Sequence, residues 1–201
     1  MSTINTRGRR LALPLVLGIA LSLAPTATAT TAAAPAPASS KSATTPECAV
    51  TWGSKLEFRK PYSRRHVTDV RAGRHACFDR LVIDLDAAGD EKPGYGVRYV
   101  RRVRADGSGR VVPVRGGARL QIWVNASTLD EDQKYVYRPD DRRELVDADG
   151  FDTFRQVAFA GDFEGSTMIA LGVRARLPMR VFRLSDGAGG YRLVIDVAHR
   201  W

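Results

Sequence analysis

Apolar residues in this chain recur at every second position, and that period constrains the fold more than any other feature of the sequence. It is clearest in two near-copies, Phe78-Asp-Arg-Leu-Val-Ile-Asp-Leu85 and Tyr191-Arg-Leu-Val-Ile-Asp-Val197. Side chains of a strand alternate between its two faces. Leu81, Ile83 and Leu85 therefore point one way, and Arg80, Val82 and Asp84 the other. In the second copy Leu193, Ile195 and Val197 oppose Arg192, Val194 and Asp196. Each copy reads as a half-buried strand with an Arg and an Asp on its outer face. Their likeness fits two equivalent strands, either one in each sheet or paired with each other so that Arg meets Asp across the pair.

The same alternation, or a β-branched run, marks Val67 to Arg71, Tyr95 to Val103, Val111 to Val114, Leu120 to Val124, Phe154 to Ala160, Thr167 to Val173 and Met179 to Leu184. Glycine and aspartate punctuate the gaps, in AGR, AAGDEKPG, ADGSG, RGG, DADG, AGDFEG and SDGAGG. No long stretch has a helical period, and Ser54 to Lys60 offers at most one short helical turn. Many short strands with turn signals between them predict an all-β fold, a β-sandwich of mainly antiparallel strands in a single domain. Ala126 to Asp152, rich in Asp, Arg and Tyr, reads as a long excursion over one face or edge.

The amino-terminal residues follow a different logic. MSTINTRGRR carries three arginines and no acid, the apolar run Leu11 to Pro25 follows, and Ala27-Thr28-Ala29 resembles a cleavage site. The run is interrupted by Pro14 and is shorter than the roughly 20 residues that span a bilayer. Residues 1–29 are therefore expected to be a signal peptide, and no stable membrane span should remain after its removal. Residues 30–46, TTAAAPAPASSKSATTP, hold almost no apolar bulk and read as a flexible tether. Residues 47–201 are the size of one domain. The formal charge of +9 includes Arg7, Arg9 and Arg10; without them 28 bases face 22 acids, an excess of +6. The bases are dispersed among acids, which argues against a nucleic-acid partner. Cys48 and Cys77 form an even pair in a secreted chain, most simply one disulfide, worth about 3 kcal/mol. The rival reading is a metal site of Cys48, His75 and Cys77.

A resemblance rests on several blocks in order: FDRLVIDL from Phe78, PVRGGARLQIWV from Pro113, FRQVAFAGDFEGSTMIALGVRARLPMRVF from Phe154, and the closing RLVIDVAH. Over Val67 to Trp201 the chain resembles the AMIN-like domain of exported actinobacterial proteins. It is similar, more distantly, to the AMIN domain found beside cell-wall amidases and in secretins. The resemblance implies a β-sandwich and a non-catalytic envelope module; in the AMIN relatives the role is to bind peptidoglycan and to localise a partner enzyme or complex.

The residues themselves point the same way. No G-x-S-x-G elbow occurs, and His66, His75 and His199 lack the i,i+4 partner of a metal-binding helix. Asp147-Ala-Asp-Gly-Phe-Asp152 is out of register with a calcium loop, since Gly150 comes too early. Asp162 and Glu164 could form an acid pair only within a cleft. No catalytic residue, metal site or cofactor is expected. On the strand Leu120 to Asn125, alternation turns Gln121, Trp123 and Asn125 away from the core. An indole between two amides suits a sugar ring. The competing reading is that the 126–152 excursion covers this face and Trp123 is packing. Arg174 and Arg176, alternating with Val173, Ala175 and Leu177, could clamp a carboxylate or phosphate, or simply be solvated. The expected function is a secreted, wall-associated, non-enzymatic module that binds peptidoglycan or another cell-wall polymer. The alternatives are a module docking on another envelope protein and a small secreted hydrolase.

Overall fold

The repeated strands lie side by side. In the computed structural model, which describes residues 48–60 and 62–201, β3 (Phe78–Leu85) pairs antiparallel with β11 (Tyr191–Ala198) in the register Arg80↔Asp196, Val82↔Val194, Asp84↔Arg192. The arrangement is close to two-fold about the Val82↔Val194 pair. Arg80 Nε and Nη2 donate to the two oxygens of Asp196 at 2.7 and 2.9 Å, while Arg192 lies 3.7 Å from Asp84. Flanking strands repeat the symmetry. Arg180 of β10 (Met179–Ser185) also donates to Asp196, at 2.8 Å, and Arg71 of β2 (Val67–Arg74) grips Asp84 at 2.7 and 3.0 Å. The sheet order is β10-β11-β3-β2.

The other strands are β1 (Glu57–Arg59), β4 (Tyr95–Val100), β5 (Val103–Arg104), β6 (Val111–Val112), β7 (Ala118–Val124), β8 (Phe154–Phe163) and β9 (Ser166–Val173). A five-stranded sheet in the order β1-β4-β7-β9-β8 packs on the four-stranded one, and β5 and β6 form a separate hairpin. All strand pairs are antiparallel. The core is the meeting of the alternating apolar sets: Leu81, Ile83, Leu193, Ile195 and Val197 from one sheet, Val97, Leu120, Ile122, Ile169 and Leu171 from the other, all buried. Burying such a side chain is worth about 1.5–3 kcal/mol, and their sum makes the sandwich. The described residues contain no helix, and none long and apolar enough to cross a membrane. The expected signal peptide and tether, 1–29 and 30–46, lie outside the described residues.

Two local expectations change, and a third is narrowed. Ser54 to Lys60 holds the short edge strand β1, not a helical turn, because Glu57 to Arg59 pair with Tyr95 to Val97 of β4. The run Tyr95 to Val103 breaks at Arg101-Arg102, and the β5–β6 hairpin folds back over the outer face of the five-stranded sheet. There Val103, Val112 and Val114 meet Ala158, Ala160, Met168 and Ala170 in a second small core. The 126–152 excursion takes the edge, not this face. Leu145 N–H donates to Val157 O and Phe159 N–H to Arg142 O along β8. Tyr137, Leu145, Val146 and Phe151 close the core on that side.

Cys48 and Cys77 are disulfide-bonded, with Cα atoms 5.2 Å apart, which removes the metal reading; His75 stacks on Phe78 instead. The bond lays the 48–54 segment along the four-stranded sheet. Trp52 meets Phe78 edge-on, and Met179 N–H donates to Gly53 O. Replacing both cysteines with serine should cost about 2–4 kcal/mol, and alkylation without reduction should label neither thiol. A labelled thiol in the native protein would contradict the bond. Among the described residues Arg65, 3% exposed, meets no carboxylate; four carbonyls, of Asp86, Gly89, Glu91 and Gly189, accept from its guanidinium and fix two loops together.

Candidate functional site

The outer face of the five-stranded sheet carries an aromatic platform beside the β5–β6 hairpin. It exists because β4 offers Gly96 opposite Trp123 of β7. A Cβ on Gly96 would stand 1.9 Å from the indole, so only glycine lets the ring lie against the strand. Phe58 of β1, 42% exposed, approaches the indole at 6.3 Å between centroids, and the exposed Arg98 guanidinium lies 5.6 Å from the ring centre. Gln121 faces outward across from Arg98. Trp123 is half-buried; its inner side rests on the small second core and the excursion does not reach it. An indole edge, a phenyl ring, a guanidinium and an amide on one flat face can stack on an apolar ring face and donate to its oxygens.

The remaining predicted residues are not gathered there. Asn125 follows the end of β7, and its Oδ1 accepts from Ser166 Oγ at 3.1 Å. Arg174 and Arg176 sit in the turn between β9 and β10 and engage different neighbours. Arg174 donates to the carbonyls of Asp152 and His199, whereas Arg176 holds Ser54 O at 2.9 Å and covers Tyr99 at 5.2 Å.

The titratable groups singled out in the sequence are engaged internally. His66 pairs with Asp86 at 2.7 Å. Asp147 Oδ1 accepts from Asp149 N–H at 2.9 Å, closing its own turn. Asp162 does not face Glu164 as an acid pair; its Oδ2 accepts from Thr128 Oγ1 at 2.8 Å and Thr167 Oγ1 at 3.1 Å. Asp79 is fully buried at the end of the sandwich. Its Oδ2 accepts the N–H groups of Thr153 and Phe154, and its Oδ1 meets His199 Nε2 at 3.1 Å. With Asp152, 3.7 Å from the same imidazole nitrogen, these groups lie close enough to share a cation. One oxygen of Asp79 is already committed to the backbone, and the contacts tie β3, β8 and β11 together.

A second polar surface, on the outer face of the four-stranded sheet, was only half visible in the sequence. Alternation placed Arg80 and Asp196 outward, but not the residues that cover them. The Arg180 guanidinium lies 4.3 Å from the Trp52 ring, and Arg80 lies 5.2 Å from Phe78 and 5.6 Å from Phe182. Asp196 is thereby sealed, at 0% exposure, and the bond to its carboxylate raises the Arg80 pKa further above its ordinary value. Phe58, Arg98 and Gly96 were also missed. The signal was the glycine in Tyr95-Gly-Val-Arg98, whose role depends on which strand lies beside it.

The chain is thus an all-β protein, a two-sheet antiparallel sandwich whose outer faces display paired arginines and aromatic rings. The chain belongs to the AMIN-like domain family, whose sequence pattern matches residues 65–199. AMIN-like domains are in general non-catalytic binding modules, and membership suggests a cell-wall-related role. No curated protein matches the chain. The family is envelope-associated, and the Cys48–Cys77 bond is compatible with an extracellular location.

Proposed function

We propose that the protein is a secreted, non-catalytic envelope module that binds peptidoglycan or another wall polymer, with residues 1–29 removed as a signal peptide, 30–46 serving as a tether and 47–201 as the binding domain. The observation that carries the reading is the Trp123 platform: a wall glycan presents flat sugar rings, and this face offers Trp123 and Phe58 beside Arg98 and Gln121. Asn125, Arg174 and Arg176 act in this proposal as supports of the neighbouring loops.

Co-sedimentation of the purified protein with isolated sacculi tests it. Phe58→Ala and Trp123→Ala should each weaken binding about tenfold, equivalent to roughly 1.4 kcal/mol. The exposed Phe58 should be lost with little change in melting temperature, and half-buried Trp123 should cost less than the about 3–5 kcal/mol of a core aromatic. Wild-type protein that stays in the supernatant at low and moderate salt would remove the wall-binding reading.

A second reading, docking on another envelope protein, draws on β10, an edge strand of seven residues bridged at one end by Gly53. Strand addition there would give a stoichiometric partner that survives wall digestion. Affinity capture from an envelope extract separates the two readings.

A further inference from the structure

The excursion along β8 leaves a cleft of about 690 Å³ that the platform does not use. Small-molecule sites span about 300–1,000 Å³, so the space suffices for a disaccharide. Its walls are aromatic: Tyr135, Tyr137 and Phe159. Two guanidiniums stand on those rings, Arg142 over Phe159 at 4.5 Å and Arg138 over Tyr135 at 5.8 Å. Among the described residues neither is in an ion pair, so their planar N–H donors face the cleft without a carboxylate partner. Acceptors are present too. Asp162 commits Oδ2 to Thr128 and Thr167, while among the described residues its Oδ1 receives only a long contact of 3.4 Å from Ser127. The Tyr137 phenol, pushed up to about 12 by burial and then by Asp69 and Asp140, keeps its proton and can donate.

We propose that this cleft is a saccharide-binding site distinct from the Trp123 platform, taking a hydroxyl-rich segment of a glycan chain. The balance of groups selects that chemistry. A polyanion would meet Asp140 and Asp162 beside the two arginines, and an apolar ligand would strand both charge types in a dry cleft. A sugar ring stacks its C–H face on tyrosine or phenylalanine, accepts from guanidinium N–H groups and donates its hydroxyls to carboxylates. The cleft also continues past Arg142, Phe159 and Asp162 into a groove of about 990 Å³ beside the β5–β6 hairpin, so a chain is accommodated as well as its end. The source of the glycan rests on the wall-binding reading; the geometry does not.

The test uses the full mature chain and two probes, intact sacculi and the soluble disaccharide-peptides that a muramidase releases from them, with binding of the latter followed calorimetrically. Tyr135 is 59% exposed, so Tyr135→Ala leaves the core intact. Tyr135→Ala and Arg142→Ala should each lower disaccharide affinity about tenfold or more, with melting temperature nearly unchanged. Arg142→Lys keeps the charge but loses the planar stack, and should fall between. If these variants bind the disaccharides like the wild type, the cleft is not the site. If wild-type protein pellets with sacculi but binds no disaccharide, the cleft proposal fails and wall binding stands. If disaccharides bind through the cleft while sacculi are not retained, the wall reading fails and the saccharide site stands.

Discussion

Asp196→Ala is expected to lower the unfolding free energy by about 3–5 kcal/mol, whereas Asp84→Ala should cost about 1 kcal/mol or less, although the two residues hold equivalent positions in the repeat. The difference lies in solvent. Asp196 is sealed beneath Trp52, Phe78 and Phe182 and balances Arg80 and Arg180 at once. Removing it leaves two partly buried guanidiniums without a counter-charge, a case that is strongly destabilising. Asp84 is 22% exposed, and its partners Arg71 and Arg192 are about half open to water, where an ion pair contributes little. Urea denaturation of the two variants decides it, and equal losses would show that the aromatic cover does not matter. Replacing Arg80, Arg180 and Asp196 together with Met, Met and Leu should recover much of the loss, because an apolar cluster has no charge to desolvate.

Asp79→Ala should cost about 2–5 kcal/mol, the second large effect. Two buried backbone N–H groups, of Thr153 and Phe154 at 2.6 and 3.0 Å, lose their acceptor, and His199 loses the nearer of its two carboxylates. Each unsatisfied buried group costs about 1–3 kcal/mol. Asp79→Asn retains an acceptor oxygen for both N–H groups, and the imidazole can change tautomer to meet the amide, so its loss should be about 1 kcal/mol. Asn and Ala variants that melt alike would mean that the carboxylate does not organise this end of the sandwich. His199→Ala, which removes the side chain at the rim, should resemble Asn more than Ala.

The Asp79 case shows what alternation conveys and what it misses. Asp79 shares the inward parity of Leu81, Ile83 and Leu85, so a strict period-two reading places a carboxylate in the core, a cost with no visible compensation in the sequence. The compensating donors come from residues 74 and 75 positions further along the chain. Trp123 is similar. Its outward direction follows from Leu120, Ile122 and Val124 pointing inward, but its neighbours do not. Phe58, Gly96 and Arg98 meet it only through the pairing of β1 with β4 and β4 with β7. Arg174 and Arg176 were legible as exposed and not as turn residues, because the alternation of Val173, Ala175 and Leu177 continues past the last hydrogen-bonded residue of β9.

The sequence by itself determined the class of fold, the inner and outer faces of nearly every strand, and the pairing of Cys48 with Cys77. Those properties are local: period two is a consequence of strand geometry, and a chain with two cysteines has one disulfide that it can make. The family likeness was legible for the same reason, since R-L-V-I-D encodes a half-buried strand at each copy. Tertiary structure decided which strands are neighbours, and with that everything that depends on contact across sheets. It set the two copies side by side, so that each Arg reaches the other's Asp, and buried one of the two pairs but not the other. It turned the 126–152 excursion onto the β8 edge, which left the Trp123 face to the β5–β6 hairpin and created the Tyr135 cleft. Long-range pairing is chosen by the total apolar area that the two sheets cover together, a sum over the whole chain that no single segment carries.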